Sequence, residues 1–316
     1  MVSIKTHFNW THAIYFGLFI IIMPVYFLVL VCLLKLRRTE NGFKTTFYSL
    51  LLQHSIADTL AMGVYVAQKL SYIVVPEFIY GKQNILAPFF YNFFFWLIIV
   101  RSNGVALMTV HRFLVIVKGK SKFSFICQTL KPWKVFIIYW IPPIIFGAVF
   151  YSDSTIRFDS VDSLKNVVNP ETTLKSTIVC ISFLTTSCVV CILSNGLIIR
   201  YVKEKSSNLS KSLQRELRLA FQVSLPFGAQ LILLCFMIFA NLYAKTGNME
   251  VLVYIRDFFP IANGLLSFIS PFTILLFNRD LTRRVWKMIF ETKVRIQTEG
   301  QSEISAKVSV VSHRMR

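Results

Sequence analysis

Of the charged side chains inside apolar runs of this sequence, three stand out: Asp58 in LLLQHSIADTLAMG, Arg101 in FFFWLIIVRSNGV and Arg112 in VHRFLVIV. A charge at membrane depth is costly and is kept where it pairs, lines a polar path or takes part in a switch. Catalysis is the rival chemistry, since His54 and Asp58 stand at i, i+4 on one helical face. A metal site or an intramembrane hydrolase needs further ligands at comparable depth, and His7, His12, His111 and His313 do not lie there. No Walker loop, G-x-S-x-G or H-E-x-x-H pattern occurs, and the C-V-V-C of Cys188 and Cys191 is most simply mid-span helix packing. The expectation is a protein that is not an enzyme and carries no cofactor and no metal.

The elements that must hold these charges follow from composition. Hydrophobic residues make up 55% of the 316, with 30 Phe, and the mean hydropathy is +0.59, more than a soluble core can bury. Seven apolar runs reach or approach the roughly 20 residues that cross a bilayer. They are Ala13–Leu34, Phe47–Val75, Phe89–Val117, Trp133–Phe150, Thr177–Ile199, Leu219–Leu242 and Phe258–Phe277. The fold class is therefore an all-α membrane protein, a seven-helix bundle without internal repeats. A cleaved signal peptide is disfavoured for the first run, which carries Pro24, lacks a small-residue cleavage pattern and is followed at once by KLRR.

Basic residues set the orientation, because positively charged short loops stay cytoplasmic. One side carries only Lys5, Lys82, Arg157, Lys165, Lys175 and Lys245, whereas twenty-four of the 34 Lys and Arg fall in the loops after the first, third and fifth runs and in the tail. The N-terminus is expected outside and the C-terminus inside. A net charge of +19 divided among short inner loops suits anionic inner-leaflet lipid better than nucleic acid, which is not expected as a partner.

Asp58 lies roughly 18 Å in from the inner end of its span and Arg101 also reaches mid-membrane, so the two are expected to face the interior and to pair directly or through water. Independent hydration in a polar cavity is the alternative. Arg112 follows Arg101 by about three turns on the same face. There it could hold inner helix ends together or receive an intracellular partner, against simple snorkelling to headgroups. Asn263, Ser267 and Pro271 recur every four residues as a polar stripe, readable also as a packing seam. Pro24, Pro142, Pro143, Pro226 and Pro271 mark bends, with Gln222 and Gln230 placed to satisfy carbonyls freed by Pro226. The six cysteines read as small buried hydrophobes.

The chain divides into a short extracellular N-terminus (1–12), the seven-span domain (13–277), a membrane-surface helix (278–291) and a disordered cytoplasmic tail (292–316). The surface helix alternates Leu281, Val285, Met288 and Ile289 with Arg279, Arg283, Arg284 and Lys287. Asn9 opens an Asn-Trp-Thr glycosylation sequon close to the membrane, and the tail serines could be phosphorylated.

HSIAD in span two, HRF closing span three, Pro226 in span six, SPFTILLF in span seven and NRDLTRRV after it resemble a G-protein-coupled receptor. More narrowly, Trp10 to Phe290 resembles the nematode serpentine chemoreceptors of the Srg superfamily, class V. The resemblance implies a plasma-membrane receptor of sensory neurons. It also implies a small extracellular ligand, a heterotrimeric G protein contacting His111 and Arg112, hinges at Pro226 and Pro271, and receptor oligomers as an open question. A ligand pocket is expected in the outer half near Lys69, Tyr91, Phe94, Phe95, Arg101 and Asn263, where two cations beside aromatic surface suit an acidic or strongly polar molecule. For most of the phenylalanines the lipid-facing reading is the favoured one. The sequence departs from rhodopsin-like receptors in several ways. His111 stands where an acid usually precedes the arginine, span six lacks a tryptophan before its proline, and no outer cysteine pair is present. The rival reading is a chemically gated channel or transporter with Asp58 and Arg101 on an ion path.

Overall fold

The computed structural model describes residues 10–290 except 120, 149, 151–154, 206–210 and 289. Asn9, Ile289 and the tail serines lie outside the described residues. In lipid every backbone amide must find its partner within the chain, so each apolar run becomes a helix. The spans are α1 (Trp10–Thr39), α2 (Thr46–Val74), α4 (Gln83–Val117), α6 (Pro132–Ala148), α7 (Pro170–Glu204), α8 (Lys211–Thr246) and α9 (Met249–Phe277). Short helices α3 (Pro76–Gly81) and α5 (Lys122–Gln128) lie in connections, and 279–288 forms α10. Six of the seven are long and apolar enough to span a bilayer; α6, with 17 residues, is the shorter seventh.

Five helices outrun their apolar windows, whereas α2 stops at Val74 and α6 at Ala148, just short of theirs. Charged residues can extend a helix once it leaves the hydrocarbon, so α8 begins at Lys211, about two turns before Leu219. Asn169 caps α7, accepting from the Glu171 amide at 3.2 Å, with Pro170 in the first turn, where its missing N–H is no loss. Odd and even spans run antiparallel, giving a Trp10 end and a Thr39 end.

Helix α4 is the axis of the bundle, packed against α2, α6, α7 and α8. Its approach to α2 and α6 depends on Gly104, where an added Cβ would lie 2.5 Å from Tyr139 Oη and 2.6 Å from His54 Nδ1. Gly104→Ala is expected to cost about 1–3 kcal/mol by overpacking, read as a lower unfolding midpoint in detergent. Gly63→Ala, with nothing within 4 Å of the new Cβ, should not lower it, and equal losses at the two sites would contradict this packing.

At the Trp10 end a two-stranded hairpin, β1 (Arg157–Phe158) and β2 (Asn166–Val167), roofs the bundle. No disulfide holds it among the described residues, all six cysteines being free. Its anchor is apolar: Ile156, Phe158 and Leu164 pack with Tyr72, Ile79 and Ala87. Leu164 takes φ 44°, a left-handed conformation rare for a non-glycine residue, stabilised here by burial of its side chain. At the other end α10 turns Leu281 and Val285 into the core while Trp286 and Phe290 stay exposed, and Arg284 pairs with Glu40 at 3.1 Å. The cysteines divide: Cys32, Cys180, Cys188 and Cys191 are buried, but Cys235 is exposed on the helix surface and Cys127 is half-buried.

Candidate functional site

Three polar features lie along the bundle. The central one is built from side chains of five helices. Asp58 on α2 and Arg101 on α4 are both fully buried. The Asp58 carboxylate accepts from Tyr26 Oη of α1 at 2.6 Å and from Ser267 Oγ of α9 at 3.1 Å. Arg101 Nη1 donates to Ser267 Oγ at 2.8 Å and to the Asn263 carbonyl at 3.1 Å, its Nη2 donates to Asn263 Oδ1, and its Nε donates to the Leu97 carbonyl at 3.2 Å. His54 Nε2 stands 3.5 Å from Asp58, and its Nδ1 is 3.2 Å from Tyr139 Oη of α6.

The link between the two opposite charges is thus a serine hydroxyl, which accepts from Arg101 and donates to Asp58. Among the described residues no direct Asp58–Arg101 ion pair forms, because Ser267 occupies the space between them. The polar stripe on α9 is what receives the guanidinium. Gln230 does not serve Pro226 as its spacing suggests: its amide nitrogen goes to Ser187 Oγ at 2.9 Å and Cys188 Sγ at 3.5 Å on α7.

At the Thr39 end Arg112 forms an ion pair with Glu216 of α8, with its guanidinium carbon 3.2 Å above the Phe47 ring centroid of α2. Arg112 is buried, and its Nε and Nη2 have no hydrogen-bond partner. His111 is buried beside Phe47, ring centroids 6.1 Å apart, with neither ring nitrogen hydrogen-bonded. Glu216 was not singled out by sequence, where it reads as one of many inner-loop charges. The neighbour of Arg112 in sequence is a histidine, yet the fold supplies an acid from another helix.

At the Trp10 end a cavity of about 240 Å³ opens beneath the hairpin. Lys69, Tyr91, Phe94 and Phe95 line it as their spacing suggests. Arg101 and Asn263 do not: Arg101 directs its donors at Leu97, Asn263 and Ser267 in the bundle centre, and Asn263 holds it there. The further cations of the cavity are instead Arg256 of α9 and Lys165 of the hairpin, with Asp257, Gln68, Tyr72 and Thr173 also lining it. A signal for Arg256 was present, since Arg256, Pro260, Asn263 and Ser267 fall at i, i+4, i+7 and i+11 on one helical face. No group of three or more His, Cys, Asp or Glu able to hold a metal occurs among the described residues.

The seven-span architecture, the buried network and the two terminal sites accompany one match among known families. The family model described as serpentine type 7TM GPCR chemoreceptor Srv matches residues 15–291. No curated protein matches the chain.

Proposed function

The chain belongs to the Srv family of serpentine seven-transmembrane chemoreceptors, and from that premise we propose that it detects an extracellular small molecule and signals to a heterotrimeric G protein. The Trp10 end faces outside and the Thr39 end the cytoplasm, the orientation that the distribution of Lys and Arg supports. The receptor works at the plasma membrane of sensory neurons, with α10 and the basic inner loops against anionic lipid.

The observation that carries this reading is the Arg112–Glu216 pair, which ties α4 to α8 at the end opposite the cavity. A ligand in the cavity touches α2, α4, α7, α8 and α9 at once. It can therefore favour one packing of these helices over another, which is what a ligand must do to shift a conformational equilibrium. Pro226 in α8 and Pro271 in α9 remove backbone hydrogen bonds and let the cytoplasmic halves swing. When the pair opens, Arg112 and the Phe47 surface become the seat for a Gα tail, and the central Asp58–Ser267–Arg101 relay lies between the two ends.

The test uses the full chain co-expressed with a Gα panel and screened against a small-molecule library. For any agonist found, Ala240→Phe, which fills the cavity wall, is expected to reduce potency by about tenfold or more. Arg112→Ala is expected to retain ligand binding and lose G-protein activation. An agonist whose potency is unchanged by Ala240→Phe binds elsewhere, and activation that survives Arg112→Ala removes the proposed seat.

A further inference from the structure

The cavity beneath the hairpin carries more positive charge than its own residues answer. Lys69, Lys165 and Arg256 line it with His12, facing a single carboxylate, Asp257. Among the described residues neither Lys69 nor Arg256 forms an ion pair. Arg256 donates Nη2 to the Thr173 hydroxyl at 2.7 Å. The Lys69 ammonium instead lies 5.2 Å from the Tyr72 ring centroid and 5.9 Å from that of Tyr65. Ring faces attract a cation but leave its hydrogen-bond donors unused.

Further donors converge there. Tyr72 Oη accepts from Gln68 Nε2 at 2.5 Å, which leaves its own O–H for an acceptor in the cavity. The Tyr65 hydroxyl, on a residue only 3% exposed, is buried without any partner. A buried hydroxyl facing the cavity without a partner is a donor open to a bound acceptor. The remaining wall is aromatic, with Phe94, Phe95 and Phe259. At about 30 Å³ per water volume the space holds on the order of ten non-hydrogen atoms.

We propose that the ligand is a small organic monocarboxylate with a compact apolar body, its acid group held by Lys69 and Arg256 and its body against Phe94, Phe95 and Phe259. This rests on the reading of the cavity as the ligand site. A carboxylate suits the site because it accepts from several donors at once and supplies the countercharge both cations lack. A zwitterion is disfavoured, since the one acid lining the wall faces three basic residues as well.

The experiment titrates the full-length receptor in nanodiscs with 3-phenylpropionate and hexanoate, each beside its uncharged amide and the corresponding primary amine, by calorimetry. The expected result is saturable binding of at least one acid, at least tenfold tighter than its amide or amine. Lys69→Met and Arg256→Gln should each weaken that acid by at least tenfold, while Arg256→Lys keeps part of the affinity. Unliganded unfolding midpoints establish that each variant is folded. If an amide or amine binds as tightly as its acid and Ala240→Phe abolishes that binding, the cavity stands and the carboxylate assignment falls. Acid binding that ignores Lys69→Met and Arg256→Gln also overturns the assignment. If binding is indifferent to Ala240→Phe as well, or no acid saturates, the carboxylate assignment falls, and indifference to Ala240→Phe removes the cavity as the ligand site too.

Discussion

Arg101→Gln is expected to lower receptor stability by about 3 kcal/mol, because removing one member of a buried charge network leaves the other uncompensated in the bundle interior. The variant strands the Asp58 carboxylate with Tyr26, Ser267 and His54 and removes the only cation on its relay. Asp58→Asn is expected to do comparable damage from the other side, leaving Arg101 hydrogen-bonded but without a countercharge. The double variant should be less damaged than the sum, by about 1–2 kcal/mol, within the range of coupling between residues in one network. That figure is kept small because polar groups within a membrane also find partners in the unfolded state, and interhelical hydrogen bonds there average well under 2 kcal/mol. Unfolding of the four receptors in detergent supplies the cycle. Additive losses would mean that Ser267 separates the two charges energetically instead of joining them. Ser267→Ala adds a check of the relay, since it should abolish most of the coupling while leaving both charges in place.

Glu216→Gln is expected to raise ligand-independent signalling. The pair it disrupts is largely shielded from solvent, Arg112 being 4% and Glu216 25% exposed at the side chain, so it is not discounted to the level of a surface ion pair. Loss of the charge, with a neutral amide still able to accept a hydrogen bond, removes about 1–2 kcal/mol from the closed arrangement. That shifts the closed–open equilibrium by roughly 5–30-fold, enough to make a minor open state visible as basal G-protein activation. Arg112→Ala breaks the same contact yet should not raise the basal signal, because it also removes the surface onto which the G protein docks. That difference between the two variants separates a lock from a general loosening. Equal basal signalling in wild type and Glu216→Gln would leave the pair as packing only.

The bundle was legible because a bilayer imposes a length and a composition on every span: five of the seven apolar runs lie wholly within observed helices, and the second and fourth overrun α2 and α6 only at their last residues. Their ends were not, since hydropathy stops where the hydrocarbon stops, whereas α7 and α8 continue through charged turns to Glu204 and from Lys211. The central residues were legible for the same energetic reason: Asp58 and Arg101 are too costly at that depth to stand alone. How they connect was hidden, because Ser267 is separated from Asp58 by more than two hundred residues and a serine within a span is common. Arg101 and Asn263 were assigned to the ligand pocket by depth. Depth does not say which way a side chain turns, and the α9 stripe draws the guanidinium inward. Glu216 and Arg256 were missed because charges near span ends are ordinary. Only the fold shows that one meets Arg112 and that the other shares a cavity with Lys69.

The central claim is that the cavity faces outside and the Arg112–Glu216 pair faces the cytoplasm. The most direct test places one epitope before Ala13 and another after Arg316 and labels intact, then permeabilised, cells. The account expects the first to be reached in intact cells and the second only after permeabilisation. The reverse pattern would put Arg112 and Glu216 outside, beyond the reach of any G protein, and would favour a chemically gated channel over a receptor.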